Sequence, residues 1–411
     1  MSNNWPFEKQ PYKYGYINNP NWTDTPEHSD KHEPCGYWPV GVPVAQATKP
    51  TGGLLYGAGY GVNYILGNGD QLERTVFTQI TDSNYYKKVS PGVSSTLAIL
   101  SNGDMYGVGL NGSGDLGLGD TAIKSAWTQI PGKWRDVAMS PYYTWAIAIK
   151  EDRTLWGTGL NNLYQLGLGD TVTRNTWTQI GTASNWDTVS AGSFFSMVIN
   201  TANDLWCFGD NFLGCLGLGD TAPRTVPVAC ASGVLMVSCG YYFTGTIRDS
   251  GTVNLAGSNN DGQFGDGSTI SKSHLTDVSM GVDNAFIECG GYGTTAFSGT
   301  TFIIKNSGIM WAAGNNTFNN MGLADTSDQL NYVQTTGTNW ESVSNKKYST
   351  LALNTSGNMW GTGLNSFGEL GLGDKVHKTT FEQVGNDLWL SVSTGYTHSM
   401  AINWDGTYNW G

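Results

Sequence analysis

The sequence predicts an all-β, seven-bladed β-propeller with an extended N-terminal arm. Three observations carry that expectation. An aromatic-Gly mark recurs at Tyr56, Tyr106, Trp156, Trp206, Trp360 and Trp410, with Leu255 and Trp311 at the two degenerate copies, at spacings of 50, 50, 50, 49, 56, 49 and 50 residues. A fixed period of this size is the mark of a repeat array. Glycine makes up 56 of 411 residues and only 13% are charged, while Thr, Asn, Tyr and Trp abound. That composition is poor in helix formers and rich in strand and turn formers, and no sustained 3.6-residue apolar stripe is present. Finally, each unit divides into four strand-like pieces, and a lone four-stranded sheet cannot bury both faces unless units stack radially and the ring closes.

Residues 1–53 stand outside the repeat. They hold eight of the chain's 13 prolines together with Trp5, Phe7, Tyr12, Tyr14, Tyr16, Trp22, Tyr37 and Trp38. Proline at this density blocks helix and central strand, yet the aromatic content does not suit a solvated tail. The stretch reads as an arm, with those eight aromatics as candidate anchors to the propeller, a symmetry mate or a partner.

Residues 54–411 form the propeller. In the third unit Trp186–Ala191 is a first strand, 196–200 a second, 204–209 a third and 225–229 a fourth. Second strands read Thr96-Leu97-Ala98-Ile99, Thr144-Trp145-Ala146-Ile147 and Ser399-Met400-Ala401-Ile402. Large residues on one side and alanine on the other suit a sheet buried on both faces. First, second and fourth strands each count to seven and third strands to eight. Seven blades follow, the last drawing on both chain ends. Residues 388–395, 399–403 and 407–411 would come from the C-terminal part and 76–80 from the N-terminal part. Residues 54–59 and 407–411 then compete for one place.

The pattern Leu364-Asn365-Ser366-Phe367-Gly368-Glu369-Leu370-Gly371-Leu372-Gly373-Asp374, followed by Val392-Ser393-Thr394-Gly395-Tyr396-Thr397-His398-Ser399-Met400-Ala401-Ile402, resembles the repeats of the regulator-of-chromosome-condensation family. The resemblance spans about residues 54–411 and implies a seven-bladed propeller. Members of that family act as a guanine nucleotide exchange factor on chromatin, a plant ultraviolet receptor and β-lactamase inhibitors, mostly with the propeller as a binding platform. This chain lacks a basic arm. Where the photoreceptor-like motif would carry Gly-Trp-Arg-His-Thr, it reads Gly192-Ser193-Phe194-Phe195-Ser196 and Gly240-Tyr241-Tyr242-Phe243-Thr244. It also shows no long wedge insertion. Its Gly/Asn/Thr-rich, low-charge, closely self-similar texture is similar to propeller proteins of bacteriophage virions, among them tail, fibre and capsid-decoration components. Fold alone does not assign function.

A formal net charge of −12 with scattered Lys and Arg excludes a phosphate-binding surface, so no nucleic-acid partner is expected. No signal pattern and no run of about 20 apolar residues is present, so no membrane insertion is expected. Of six cysteines, Cys207, Cys215, Cys230 and Cys239 crowd one repeat. A disulfide there competes with small buried thiols made in a reducing cytoplasm, and the second reading is preferred.

Gly107-Val108-Gly109-Leu110-Asn111-Gly112 matches a dinucleotide fingerprint, but the motif belongs to the repeat and no βαβ unit follows, so no cofactor is expected. Asp70, Asp120, Asp170, Asp220 and Asp374 end Gly-Asp turns. One carboxylate per blade is too few for calcium, and acceptance of turn N–H groups is preferred. His28, Asp30, His32 and Cys35 have ligand types without a second ligand pair, so no metal is assigned. His398 reads as a hydrogen-bonding residue at its strand turn, and His274 and His377 fall in variable loops. Trp156, Trp206, Trp311, Trp360 and Trp410 read as packing between blades. Trp127 and Trp177, on the outer strand, are candidates for contact surface. So is the stretch between Gly290 and Thr301, which breaks the period by about seven residues and contains Tyr292, Thr294, Thr295 and Phe297, together with Tyr242 and Phe243 of the preceding blade. No nucleophile motif or carboxylate pair stands out, and no catalysis is expected.

The functional expectation is a non-enzymatic structural or adhesion protein of a bacteriophage virion, its arm anchoring it and its propeller meeting a neighbouring subunit or host surface receptor. The alternative is a soluble cytoplasmic protein-binding regulator, of the exchange-factor or inhibitor kind. A sugar-binding lectin is a third reading.

Overall fold

The computed structural model describes residues 52–80, 83–291 and 298–404. Twenty-eight strands form seven four-stranded antiparallel sheets. The helical residues described are two three-residue 3-10 turns, Val62–Tyr64 and Phe212–Gly214. The expected seven-bladed, all-β propeller is what the chain forms. In blade 1 the strands run Tyr86–Pro91, Ser95–Leu100, Met105–Gly109 and Lys124–Ile130, from the central axis outward. The Trp186–Ala191 strand has the bounds its sequence predicts.

The second strands are the core of each blade. Every residue of Ser95–Leu100 and of Phe195–Asn200 is buried. The outermost strands mix half-buried and exposed positions, as in Arg174–Gln179, because only one face meets the neighbouring blade.

Blade 7 closes the ring with strands from both ends of the described chain. Its order from the outside is Arg74–Gln79, Leu54–Gly59, His398–Asn403, Trp389–Thr394. Leu54–Gly59 pairs in unbroken register with His398–Asn403, from Leu54 opposite Asn403 to Gly59 opposite His398. The contested third-strand place therefore belongs to Leu54–Gly59, and residues 407–411 lie outside the described residues. Gly53 already belongs to the propeller, exchanging two backbone hydrogen bonds with Tyr86 of blade 1 (3.0 and 2.8 Å).

The repeated Gly-Leu-Gly-Asp loop between third and fourth strands stitches blade to blade. Gly119 N–H donates to Asn175 C=O at 2.7 Å, Gly219 to Ser273 at 2.8 Å and Gly373 to Thr75 at 2.7 Å, each on the next blade. Within the loop Asn111 Nδ2 donates to Asp120 C=O (2.9 Å), and its Oδ1 accepts from Leu116 N–H (2.9 Å). Asn161, Asn211, Asn316 and Asn365 repeat both bonds. This lock accounts for the Asn and Asp of the motif without any ligand.

Candidate protein-docking face

Antiparallel strand order puts two loop sets at one end of the propeller: those joining first to second strands and those joining third to fourth. Leu110 N–H, in the second set, donates to Ser94 C=O in the first at 2.8 Å. The opposite end carries the second-to-third strand turns, whose residues 101–104, 151–154, 201–204, 249–252, 306–309 and 355–358 contain no aromatic side chain; Trp404, at the equivalent place in blade 7, and Tyr85, in the connection into blade 1, are half-buried aromatics at that end. The loop face differs sharply. Tyr143 and Phe194 stack at a 3.8 Å centroid distance, Tyr142 and Tyr241 meet at 5.0 Å, Tyr241 and Tyr242 at 4.9 Å, and Phe212 and Tyr242 at 5.8 Å. Tyr143 and Tyr241 join their hydroxyls at 3.2 Å. Phe212 is the solvent-facing edge of this cluster, 47% exposed. A second aromatic group, Tyr60, Phe318, Phe367 and Tyr396, lies half-buried on the same face around blades 5 to 7.

Tyr142 was not singled out by its sequence context. Its hydroxyl donates to Gly291 C=O at 3.2 Å, joining blade 2 to blade 5 across the axis. The buried phenol is held well above its usual pKa by desolvation, so it stays a donor. Beneath it the innermost strands enclose a cavity of about 210 Å³ that includes Lys88, Glu288 and Lys346. Lys346 pairs with Glu288 at 2.8 Å, and Lys88 pairs with Asp136. Those charges are satisfied inside the wall.

The sequence-selected contact residues fare differently. Tyr242 sits in the aromatic cluster, 9% exposed. Phe243 is fully buried, and its ring fills the space where a Cβ on Gly240 would stand, so it is core rather than contact surface. Trp127 and Trp177 are half-buried on the outer strand, each against the neighbouring blade. Trp177 Nε1 donates to Leu116 C=O at 3.2 Å, and its ring lies over Gly117 of the preceding blade. Gly117 has φ +67°, and a Cβ there would meet the ring at 2.3 Å. Trp127 covers Gly67 alike, and Phe77, Leu275, Tyr332 and Phe381 do so in other blades. These side chains plug the seam between blades. Tyr292, Thr294, Thr295 and Phe297 lie outside the described residues, as do Trp410, the eight arm aromatics and His28, Asp30, His32 and Cys35.

The Gly-Asp carboxylates serve their own turns. Asp170 Oδ1 accepts from Val172 N–H at 2.9 Å, and Oδ2 takes Arg174 at 2.7 Å. Arg174 holds that carboxyl below its usual range, as Lys124, Arg224 and Lys378 do for Asp120, Asp220 and Asp374. Among the described residues no three His, Cys, Asp or Glu side chains gather as metal ligands. Cys207, Cys215, Cys230, Cys239 and Cys289 are free thiols.

His398 is a buried neutral imidazole. Thr96 Oγ1 spends its one proton on Ile65 C=O (2.8 Å), so the 3.0 Å contact with His398 Nε2 requires the ring to donate. Burial pushes its pKa down to about 3.

Glu369 occupies the place that Gln165 and Gln263 hold in blades 2 and 4. Its Oε2 accepts from Phe367 N–H at 2.8 Å, as Gln165 Oε1 accepts from Leu163 and Gln263 Oε1 from Asp261. Burial raises its pKa to about 7. A raised acid pKa leaves stability intact below the unfolded value near 4.5 and withdraws it as pH climbs through 7. A shift of that size is worth about 3 kcal/mol above pH 7. Glu369→Gln keeps the hydrogen bond and removes the charge. Its melting temperature is expected to equal the parent's at pH 4.5 and exceed it at pH 8. Thermal melts at both pH values check this, and equal melting at pH 8 refutes it.

Comparison with known proteins supports the fold. Two models described as "Regulator of chromosome condensation (RCC1) repeat" match residues 203–247 and 186–215. Among solved structures, a complex of Kap60 bound to yeast RCC1 (Prp20) aligns at 14% identity and a TM-score of 0.74, covering 86% of this chain and 89% of the other. Prp20p from Saccharomyces cerevisiae, described together with its binding to Gsp1p and histones, gives 14% and 0.73 over 86% and 91%. Human WBSCR16 gives 14% and 0.74 over 85% and 98%. The likeness at this identity is one of fold, an RCC1-like propeller. A search of curated protein sequences finds no match.

Proposed function

We propose that this propeller is a protein-binding platform that regulates one partner protein, without chemistry of its own, and that the partner docks on the loop face. The clustering of contacting aromatic side chains on that face, with Phe212 exposed at its edge, is the observation that carries the reading. Tyr and Phe with exposed edges supply large contact area at low entropic cost, and aromatics are enriched where proteins meet. The yeast structures named above are of a protein described with the protein partners Kap60, Gsp1p and histones, and this supports a binding role on the same fold. A cytoplasmic location accompanies this reading.

The virion reading rests on compositional texture and on the arm, residues 1–53. Deletion of residues 1–51 separates the two, because it spares the Gly53–Tyr86 bridge. A regulator keeps its partner after that deletion, and a virion component no longer assembles.

The test of the docking face is affinity enrichment of the full chain from its native source. Phe212→Arg places a charge at the exposed cluster edge. Asp249→Lys, in a second-to-third strand turn, is the control on the opposite face. The expected result is a single partner lost with Phe212→Arg and kept with Asp249→Lys. Retention by both variants overturns the assignment of the face.

A further inference from the structure

Where blades 6, 7 and 1 meet on the loop face, a cleft of about 360 Å³ opens between Tyr60, Val62 and Ile65 of blade 7, Val93 of blade 1, and Phe367 and Lys347 of blade 6, with Tyr396 on its wall. Its volume is that of a small-ligand site, and its lining follows the usual plan of apolar walls with few polar groups. Tyr60 and Phe367 meet edge to face at 4.9 Å.

Lys347 is the cleft's one basic side chain. Its backbone sits in the left-handed region (φ +39°), which a lysine rarely adopts and which its surroundings must hold. Its Nζ lies 3.9 Å from the centroid of the Tyr396 ring. Lys346 beside it pairs with Glu288, but Lys347 has no ion pair among the described residues. Desolvation lowers its pKa, and the nearby Glu369 carboxyl offsets that only in part, which marks an ammonium short of solvent. Glu369, the nearby carboxyl, is 2% exposed and spends an oxygen on Phe367 N–H.

We propose that this cleft binds a carboxylate carried on an apolar body, with Lys347 meeting the acid and Tyr60, Phe367 and Tyr396 enclosing the body. A single ammonium without an arginine fork suits one carboxylate better than a phosphate, which draws several donors. The aromatic walls exclude a small hydrophilic acid as the preferred occupant. Such a group comes either from a free organic acid or from an acidic side chain beside an apolar residue on the docked protein. The inference rests on the loop face being the binding side.

The test titrates the full chain at pH 7 with 3-phenylpropanoate and with its neutral amide, 3-phenylpropanamide, by calorimetry. The acid is expected to bind about tenfold more tightly, the size of one charge-assisted contact. Lys347→Met keeps the apolar stem and should bring acid and amide to the same affinity. Val93→Phe fills the cleft without touching the lysine and should abolish binding of both. Parent protein that binds neither compound, or binds both alike, overturns the proposal, and this comparison needs no variant to fold. A Lys347→Met protein that retains the preference also overturns it. The capped peptide acetyl-Phe-Glu-amide distinguishes the sources. Tighter binding of the peptide assigns the cleft to a partner's side chain, and tighter binding of 3-phenylpropanoate assigns it to a free acid; either order supports the site. Failure here with the Phe212→Arg effect intact removes the cleft alone and leaves the docking face standing.

Discussion

A chain reduced to residues 81–411 is expected to lose cooperative unfolding altogether. The cut removes the two outer strands of blade 7, the loop 60–73 that joins them with its Val62–Tyr64 turn, and the short segment before them. His398–Asn403 then loses its partner along six consecutive positions. Leu55, Ile65, Leu66 and Ile80, all buried to 2% exposure or less, leave the core. Fully burying a large aliphatic side chain is worth about 1.5–3 kcal/mol, so four of them approach the roughly 5–15 kcal/mol that holds a typical domain together. Thr96 also loses the Ile65 C=O that it bonds across the closing seam. The remaining edge strand, His398–Asn403, then exposes Met400 and Ile402, which stand at 0% and 1% exposure in the closed ring, and an unpaired edge with apolar side chains templates aggregation. Calorimetry should show no sharp transition, and light scattering should grow with concentration. A chain lacking only residues 1–51 should melt as the parent does. If 81–411 melts as one sharp transition at the parental temperature, closure by these strands is not what holds the ring.

The same strands mark the boundary of what the sequence could tell. Period and strand count predicted seven blades and a composite last one, because repeat spacing is a property of the chain alone. Which of two third-strand candidates holds the shared place depends on pairing between residues 349 positions apart, Leu54 with Asn403, and no local pattern reports that. What Trp127 and Trp177 cover was hidden for a related reason. The outer strand mixes exposed and half-buried positions, and its large residues look like surface until the glycine of the neighbouring blade is seen beneath them. The signal was present as covariation within the repeat: each Leu-Gly-Leu-Gly loop faces one large outer-strand side chain. Blade 3 is the exception that shows it, since Pro227 stands there and the Phe208 ring of that blade's third strand covers Gly167 instead.

Of the loop face, the aromatic run Tyr241-Tyr242 was visible in sequence, but the reach of Tyr142 across the axis was not. Nor was the contrast between Lys346 and Lys347. Adjacent in sequence, they diverge because one points its ammonium at Glu288 in the channel wall and the other sits over the Tyr396 ring. Glu369 lay inside the recognised repeat motif, and its charge was overlooked. The glutamines at the equivalent positions in blades 2 and 4 show that the fold asks for an acceptor there and not for an acid. The free acid at that place stands beside the cleft that holds Lys347. Glu369→Gln and Lys347→Met therefore probe one neighbourhood from two sides, stability against pH and ligand affinity.

Truncating Trp145 to alanine is expected to be the most damaging single substitution in the blades. Its ring is fully buried between blades 2 and 3, packed with Ile147, Val189 and Phe208. Its Nε1 donates to Ser193 C=O at 2.8 Å, a bond that crosses the seam. Removing a buried tryptophan in this setting costs about 3–5 kcal/mol in cavity and lost transfer energy. The Ser193 carbonyl is stranded besides, at about 1–3 kcal/mol if no water reaches it. Chemical denaturation should show a midpoint shifted to much lower urea with an unchanged slope, because the surface exposed on unfolding scarcely changes. Trp127→Ala is the informative comparison. As an exposed contact residue it would leave the midpoint within experimental error, whereas as a seam plug over Gly67 it should lower it by an intermediate amount. An unchanged midpoint for Trp127→Ala would return that residue to the surface, and a small shift for Trp145→Ala would mean that the seam between blades 2 and 3 repacks freely.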